Sequence, residues 1–239
     1  MAKERDFTTE YPVITKYEKY FGGRKEEIKA LIMHADDWLG YQEAPASHRF
    51  HGCEPGGLAK HTDMVIRVMF QLRDQALKLN IPDESVFLVG YCHDLGKCGM
   101  VGMPYYIENP GLARNERHAY VLGWKPHMGP WEEHKQVFKP GEIPDPPYVY
   151  NQDVLLGYPH ELMSLYHAAR FLDLNVEECQ AITGHNGQYT RCSKGSAPNL
   201  SNTFQLTLLA HHADMWVAGY YEKETFGSCS PPKEAKDGQ

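Results

Sequence analysis

Apolar residues return at helical spacing along most of this chain, and the places where they stop mark its connections. Between residues 12 and 40, Ile28, Leu31 and Ile32 alternate with Glu26, Glu27 and Lys29. This amphipathic pattern runs to Trp38 and predicts one helix. Pro45, Gly52, Pro55, Gly56 and Gly57 then make residues 41–57 a loop. Val65, Val68, Met69, Leu72 and Leu79 predict a second helix from about Leu58 to Leu79. Pro82 opens a third, with Asp83 and Glu84 in its first turn, where carboxylates suit the positive end of the helix dipole. This helix is apolar through Val86-Phe87-Leu88-Val89-Gly90-Tyr91, carries His93 and Asp94, and is expected to end near Gly96. Helical spacing resumes over His160–Leu172, Val176–Gly184 and Thr203–Tyr221. Asn175, followed by Glu177 and Glu178, gives the middle one a capped start.

Residues 99–157 break this rhythm. Pro104, Pro110, Trp124, Pro126, Pro130, Trp131, Pro140, Pro144, Pro146 and Pro147 crowd a stretch with no helical period, apart from a short turn expected over Trp131–Gln136. Tyr120-Val121-Leu122 and Tyr148-Val149-Tyr150 read as short strands, so the segment is expected to be an inserted arm, with a β-hairpin as its candidate form. Long irregular segments in compact domains are usually functional or disordered, and the density of aromatics argues against disorder. Residues 186–202 read as loop, and the polar stretch from Gly227 as a fraying tail. The expected fold class is therefore all-α: one helical-bundle domain over residues 1–226 with an insertion at about 99–157, then a flexible tail at 227–239.

A chain of 239 residues can bury a real core. Its formal charge of −7 argues against a protein that coats nucleic acid, which needs a basic face, but leaves room for a small anionic substrate held by a metal. Cys53, Cys92, Cys98, Cys179, Cys192 and Cys229 form no C-x-x-C pair. A disulfide framework and a zinc ribbon are therefore not expected, and reduced thiols in a cytoplasmic protein are. Met1-Ala2-Lys3-Glu4-Arg5-Asp6 is followed by no apolar core of a signal peptide, and no apolar run reaches the roughly 18 residues of a membrane span.

The chemistry concentrates at histidines and aspartates on or beside the apolar helices. In order they are His61, His93-Asp94, His160, His185 and Asp214. A buried His-Asp pair is expensive unless compensated, and a divalent metal is the natural compensation, since imidazole and carboxylate are ordinary ligands. One ion can take His61, His93, Asp94 and Asp214. Asp94 has two oxygens and can bridge to a second ion held by His160 and His185. Two ions so placed could clamp a phosphate. Each histidine alone would more often be a packing or surface residue; the ordered set carries the argument. His211 and His212 precede Asp214 on one helix and are left out of the set, as is His167, which reads as packing. His48, His51, His118, His127 and His134 have no evident partner in the sequence.

The motifs GGLxxH (Gly56 to His61), HDLGK (His93 to Lys97), the histidines of Gly157-Tyr158-Pro159-His160-Glu161 and Gly184-His185-Asn186-Gly187, and the closing Asp214 resemble the HD-domain superfamily of metal-dependent phosphohydrolases. The resemblance spans roughly Pro45 to Tyr221. The run from Ala44 to His61 and the tyrosine-rich arm look like a bacterial and phage branch, with a likeness to HD-type 3′-to-5′ exoribonucleases. HDLGK also resembles the mixed-valent diiron oxygenases, which share the six-ligand order. The resemblance implies an all-α bundle and one or two divalent ions (Mn, Fe, Co, Ni, Mg or Zn). It implies Asp94 and Lys97 as catalytic, with Lys97 facing phosphate charge.

The expected activity is hydrolysis of a phosphomonoester or phosphodiester, a nucleotide or short nucleic acid, by a metal-activated water. Arg49, Asn186 and Arg191 are candidate substrate contacts, and Glu161 and His167 candidate proton donors to the leaving oxygen. Oxidation at two irons, and a non-catalytic nucleotide-binding domain, are the alternatives. No membrane partner is expected.

Overall fold

The segment Asp83–Cys92 has no polar face after its first turn, so it is stable as a helix only if covered on all sides. It is covered: every residue from Ser85 to Cys92 is buried. In this computed structural model, residues 11–48, 51–108, 117–120, 135–138, 148–151, 153, 158–187 and 203–221 are described. Seven α-helices lie among them: α1 (Pro12–Tyr17), α2 (Lys25–Trp38), α3 (Gly57–Gln71), α4 (Asp83–Cys92), α5 (His160–Ala169), α6 (Val176–Gly184) and α7 (Gln205–Trp216). Helices α3, α5, α6 and α7 all pack on α4. Their apolar faces, including Leu58, Val65, Ile66, Met69, Ala181, Ile182, Leu206 and Leu209, close one continuous core around it. The expected helical fold is present, and none of these helices is long and apolar enough to cross a membrane.

The single helix expected over residues 12–40 is broken. Gly22 has φ +54°, a left-handed conformation that glycine adopts without strain. The break lets Arg24 turn inward. Its guanidinium holds Glu84, and it donates to Glu178 Oε2 at 3.0 Å and Oε1 at 2.6 Å. Ser85 Oγ adds a bond of 2.8 Å to the same fully buried carboxylate, which also completes the capping box with Asn175 at the start of α6. Burial would raise the Glu178 carboxyl, but Arg24 and Ser85 hold it below its usual range. The N-termini of α2, α4 and α6 are thus tied by one charge cluster.

The other boundaries shift for local reasons. Helix α3 ends at Gln71 and widens into a π-helical turn over Leu72–Leu77, which Lys78 closes at φ 50°. Helix α7 likewise passes into a π-helical turn over Val217–Tyr221. Helix α4 stops at Cys92 rather than near Gly96, because its last groups bond elsewhere. The Gly96 N–H donates to Ser164 Oγ on α5 at 2.8 Å, and Ser164 Oγ donates to the His93 carbonyl at 2.9 Å.

The arm is two ladders rather than one hairpin. Strand β1 (Tyr106–Glu108) pairs antiparallel with β4 (Tyr148–Tyr150), in the register Tyr106 with Tyr150. Between them, β2 (Arg117–Tyr120) pairs with β3 (Lys135–Phe138). The expected strand at Tyr120 thus lies earlier, and Lys135 and Gln136 are strand where a turn is expected; Val121, Leu122 and Trp131–His134 lie outside the described residues. The loop expected over 186–202, from residue 188 on, and the tail at 227–239 also lie outside them. Cys92, Cys98 and Cys179 are free thiols, as expected, but Cys53 is disulfide-bonded, against the expectation of reduced thiols.

Two stability effects follow. Arg24→Ala strands a buried carboxylate and should lower unfolding stability by about 3–5 kcal/mol, read from the urea midpoint. Asp36 keeps one carboxylate oxygen buried without a partner, and burial raises its pKa to about 6. The folded state therefore binds a proton that the unfolded state does not. That contribution is complete below the normal carboxylate range and is lost as pH rises through about 6. Asp36→Asn should accordingly stabilise the protein by about 1–2 kcal/mol at pH 8, and the gain should vanish by about pH 4, in thermal melts at both values.

Candidate metal centre

The ends of α4 and α6 use the same local device. His93 follows the last residue of α4, and its Nδ1 lies 2.8 Å from the Gly90 carbonyl three residues earlier. His185 follows α6, and its Nδ1 lies 2.8 Å from the Ile182 carbonyl, also three residues earlier. A carbonyl can only accept, so Nδ1 carries a proton in both rings and Nε2 is the nitrogen turned towards the site. Both Nε2 atoms point into the space beside Asp94. Burial lowers the His93 pKa to about 4, so this ring is neutral at ordinary pH.

Asp94 stands at the centre, 1% exposed. Its Oδ2 lies 3.4 Å from His61 Nε2 and 3.5 Å from His93 Nε2, and His61 Nε2 is 3.2 Å from Asp214 Oδ1. Its Oδ1 lies 3.1 Å from His160 Nε2 and 3.4 Å from His185 Nε2. The donor atoms of His61, His93, Asp94 and Asp214 all lie within 4.8 Å of one another, as do those of Asp94, His160 and His185. The structure therefore brings together all six sequence-derived ligands, in two groups sharing Asp94. His61 comes from α3, His93 and Asp94 from the end of α4, His160 from the first turn of α5, His185 from the end of α6 and Asp214 from α7.

His61 Nε2 and His93 Nε2 lie 3.2 Å apart, within reach of one another, but Asp94 Oδ1 and His185 Nε2 are both buried and make no hydrogen bond of good geometry. Burial would lower the His185 pKa, but Asp94, 3.4 Å away, raises it, so that ring tends to hold a proton there. A cation between the two atoms would take that proton's place. The donor set, four imidazoles and two carboxylates, fits a borderline divalent ion. C-terminal helix ends supply His93 and His185, and their partial negative charge favours a cation there. Burial alone would raise the Asp94 carboxyl. Lys97 and the histidines hold it well below its usual value, so it stays ionised.

Scanned against models of known protein families, the chain matches none. No curated protein and no solved structure matches it either. The centre is thus read from its own geometry.

The remaining candidates fall as follows. Lys97 Nζ donates to Asp94 Oδ2 at 2.6 Å, and its side chain is 12% exposed, so a nearly dry ammonium sits against the shared carboxylate. Asn186 lies beside the second group. Its amide donates to Glu161 Oε1 at 2.7 Å and lies 3.3 Å from His160 Nε2. Glu161 is buried, with Oε2 unpartnered and 3.5 Å from His160 Nδ1. His167 turns away from the centre: its Nε2 lies 2.8 Å from the Gly99 carbonyl, where it fixes the turn after Cys98. Arg49 and Arg191 lie outside the described residues.

His211, left out of the sequence-derived set, has a structural part. Its Nδ1 lies 2.7 Å from the His185 carbonyl, so it holds the segment after α6 in place. The signal for it was its position three residues before Asp214, one turn up the same helix face.

The approach of α5 to Asp94 depends on Gly96. A Cβ there would lie 2.0 Å from the His160 carbonyl oxygen and 2.7 Å from the Ser164 nitrogen. Gly96→Ala should push the start of α5 away, costing about 3 kcal/mol. It should also weaken calorimetric Mn²⁺ binding in the intact fold, since α5 carries His160 and its Ser164 anchors the His93 carbonyl.

Proposed function

We propose that the chain is a metal-dependent phosphohydrolase of the HD type, acting on a nucleotide or a related phosphate ester. One observation carries the reading. Asp94 directs its two oxygens at two separate groups of imidazole nitrogens, and Oδ1, though buried between His160 and His185, makes no hydrogen bond of good geometry. On this reading His61, His93, Asp94 and Asp214 hold one ion, and Asp94, His160 and His185 hold a second. A divalent ion in such a site lowers the pKa of its water towards neutrality and polarises a phosphoryl oxygen.

The protein's own groups supply the rest. Lys97 sets a positive charge beside Asp94, where it stabilises negative charge growing on the ester oxygens. Asp214 keeps 17% of its side chain exposed, so its carboxylate can accept a hydrogen bond from the attacking water and orient it. Glu161, with one oxygen uncommitted and His160 beside it, is placed to deliver a proton to the leaving oxygen. His167 is committed to Gly99 and does not take that role. Asn186 braces Glu161 and His160 together.

A second reading rests on the same convergence. Oxidation at two irons needs His160 and His185 together with Asp94, and all three meet. Iron-loaded protein that consumes oxygen only with substrate, and releases no phosphate, would select it.

The test is phosphate release from a panel of nucleotides by protein charged in turn with Mn²⁺, Co²⁺, Ni²⁺, Mg²⁺ and Zn²⁺. Turnover is expected with at least one ion. Lys97→Met should lower kcat by about 10²–10³-fold, with Lys97→Arg recovering part of the loss. Asp94→Asn should cost more than either. No turnover of any phosphate ester by metal-replete protein would overturn the assignment.

A further inference from the structure

Beside the metal centre stands a line of aromatic rings that the main core does not use. Tyr105, Tyr106, Tyr148 and Met163 form a small cluster of their own, separate from the bundle's core. The line begins at a candidate ligand. The Tyr105 ring meets His160 nearly edge-on, with centroids 6.5 Å apart. Tyr105 meets Tyr150 at 5.6 Å, and Tyr150 meets His48 at 5.0 Å and Tyr106 at 5.3 Å. The inner end is covered and the outer end is open: Tyr105 is 8% exposed and Tyr150 39%.

The line is held rigidly. Strands β1 and β4 pair Tyr106 opposite Tyr150. The Asn151 N–H donates to the Tyr105 carbonyl at 3.0 Å, and the Asn151 amide donates to the Pro104 carbonyl at 2.9 Å. His167 pins the turn at Gly99 that leads into this strand. The rings are therefore pre-set, and little order has to be gained when something lies against them.

We propose that this wall is a base-binding subsite, and that the planar group it takes is the nucleobase of a nucleoside phosphate. The inference rests on the phosphohydrolase reading only in placing the phosphate at Asp94. The wall then begins at His160 and opens two rings away, at Tyr150 and His48, leaving the span of Tyr105 for a sugar. Aromatic faces stack on any base, whereas an alkyl or sugar phosphate gives them no planar partner. Tyrosine and histidine, unlike leucine, also remain compatible with water when nothing is bound. The substrate class is accordingly nucleoside phosphates of broad base tolerance, preferred over sugar phosphates.

The experiment uses the full chain and two probes, adenosine 5′-monophosphate and ribose 5-phosphate, with affinities measured by calorimetry and kcat/KM by phosphate release. The wild type should bind adenosine 5′-monophosphate about tenfold more tightly or better. Tyr150→Leu should bring the ratio of the two affinities close to one, while Tyr150→Phe should keep it. Equal wild-type affinities would overturn the proposal, whatever the variants do. So would a preference that survives Tyr150→Leu in protein that melts normally. If no ester is cleaved but the Tyr150-dependent preference is present, the subsite stands and the hydrolase reading falls. If both probes bind equally and are cleaved with equal kcat/KM, the hydrolase reading stands and the subsite falls.

Discussion

A carboxylate buried to 1% exposure needs compensation from every direction, and at Asp94 the whole bundle supplies it. Ionised carboxylates are among the most expensive groups to remove from water. Here the anion is retained because Lys97 lies against one oxygen and four imidazoles surround both. The imidazoles come from the end of α4 itself and from α3, α5 and α6, while α7 brings Asp214, whose carboxylate faces His61. Helix α4, apolar after its first turn, is the means: a helix covered on every face presents its terminus at the middle of the bundle, where each neighbour can reach it.

Short local bonds fix the angles that this convergence needs. The Nδ1 bonds of His93 and His185 to carbonyls three residues back set which nitrogen faces inward. Ser164 ties the end of α4 to α5 by bonding both His93 and Gly96, and Gly96 lets the two backbones approach. His211 holds the His185 carbonyl from α7. These bonds act on groups one step removed from the inward-facing atoms, which is how ligand geometry is usually set in metal sites. A charge cluster at Arg24, Glu84 and Glu178 does comparable work at the other end of α4.

The helices and the six inward-facing side chains were legible in the sequence because both depend on periodicity and order. Val176–Gly184 is predicted and observed with the same bounds, since Asn175 and Glu178 cap it by a purely local rule. The end of α4 was not legible. It is set by Ser164, seventy residues away in sequence, and no local propensity at Leu95 or Gly96 reports that bond. The break at Gly22 follows the same logic, because it pairs with Arg24 reaching Glu84 and Glu178. In the arm, Tyr148–Tyr150 was readable as a strand, but its pairing with Tyr106–Glu108 across 39 intervening residues was not. The aromatic line to His160 exists only through that pairing.

The charges of the centre connect its two groups to the kind of substrate proposed. With the imidazoles neutral, as metal ligands must be, and Glu161 carrying the proton it is to deliver, Asp94 and Asp214 stand against the ammonium of Lys97, and these groups carry a net charge of about −1. An anionic ester would be repelled by such a site. One divalent ion brings it to about +1. A second brings it to about +3, more than the charge of a phosphate dianion. The second group, Asp94 with His160 and His185, is also the one beside the aromatic wall. The ion that would take the site's charge past that of the dianion thus lies next to the rings that would take the base. Both depend on α5 standing close to Gly96, and a single glycine therefore couples the site's charge to its shape.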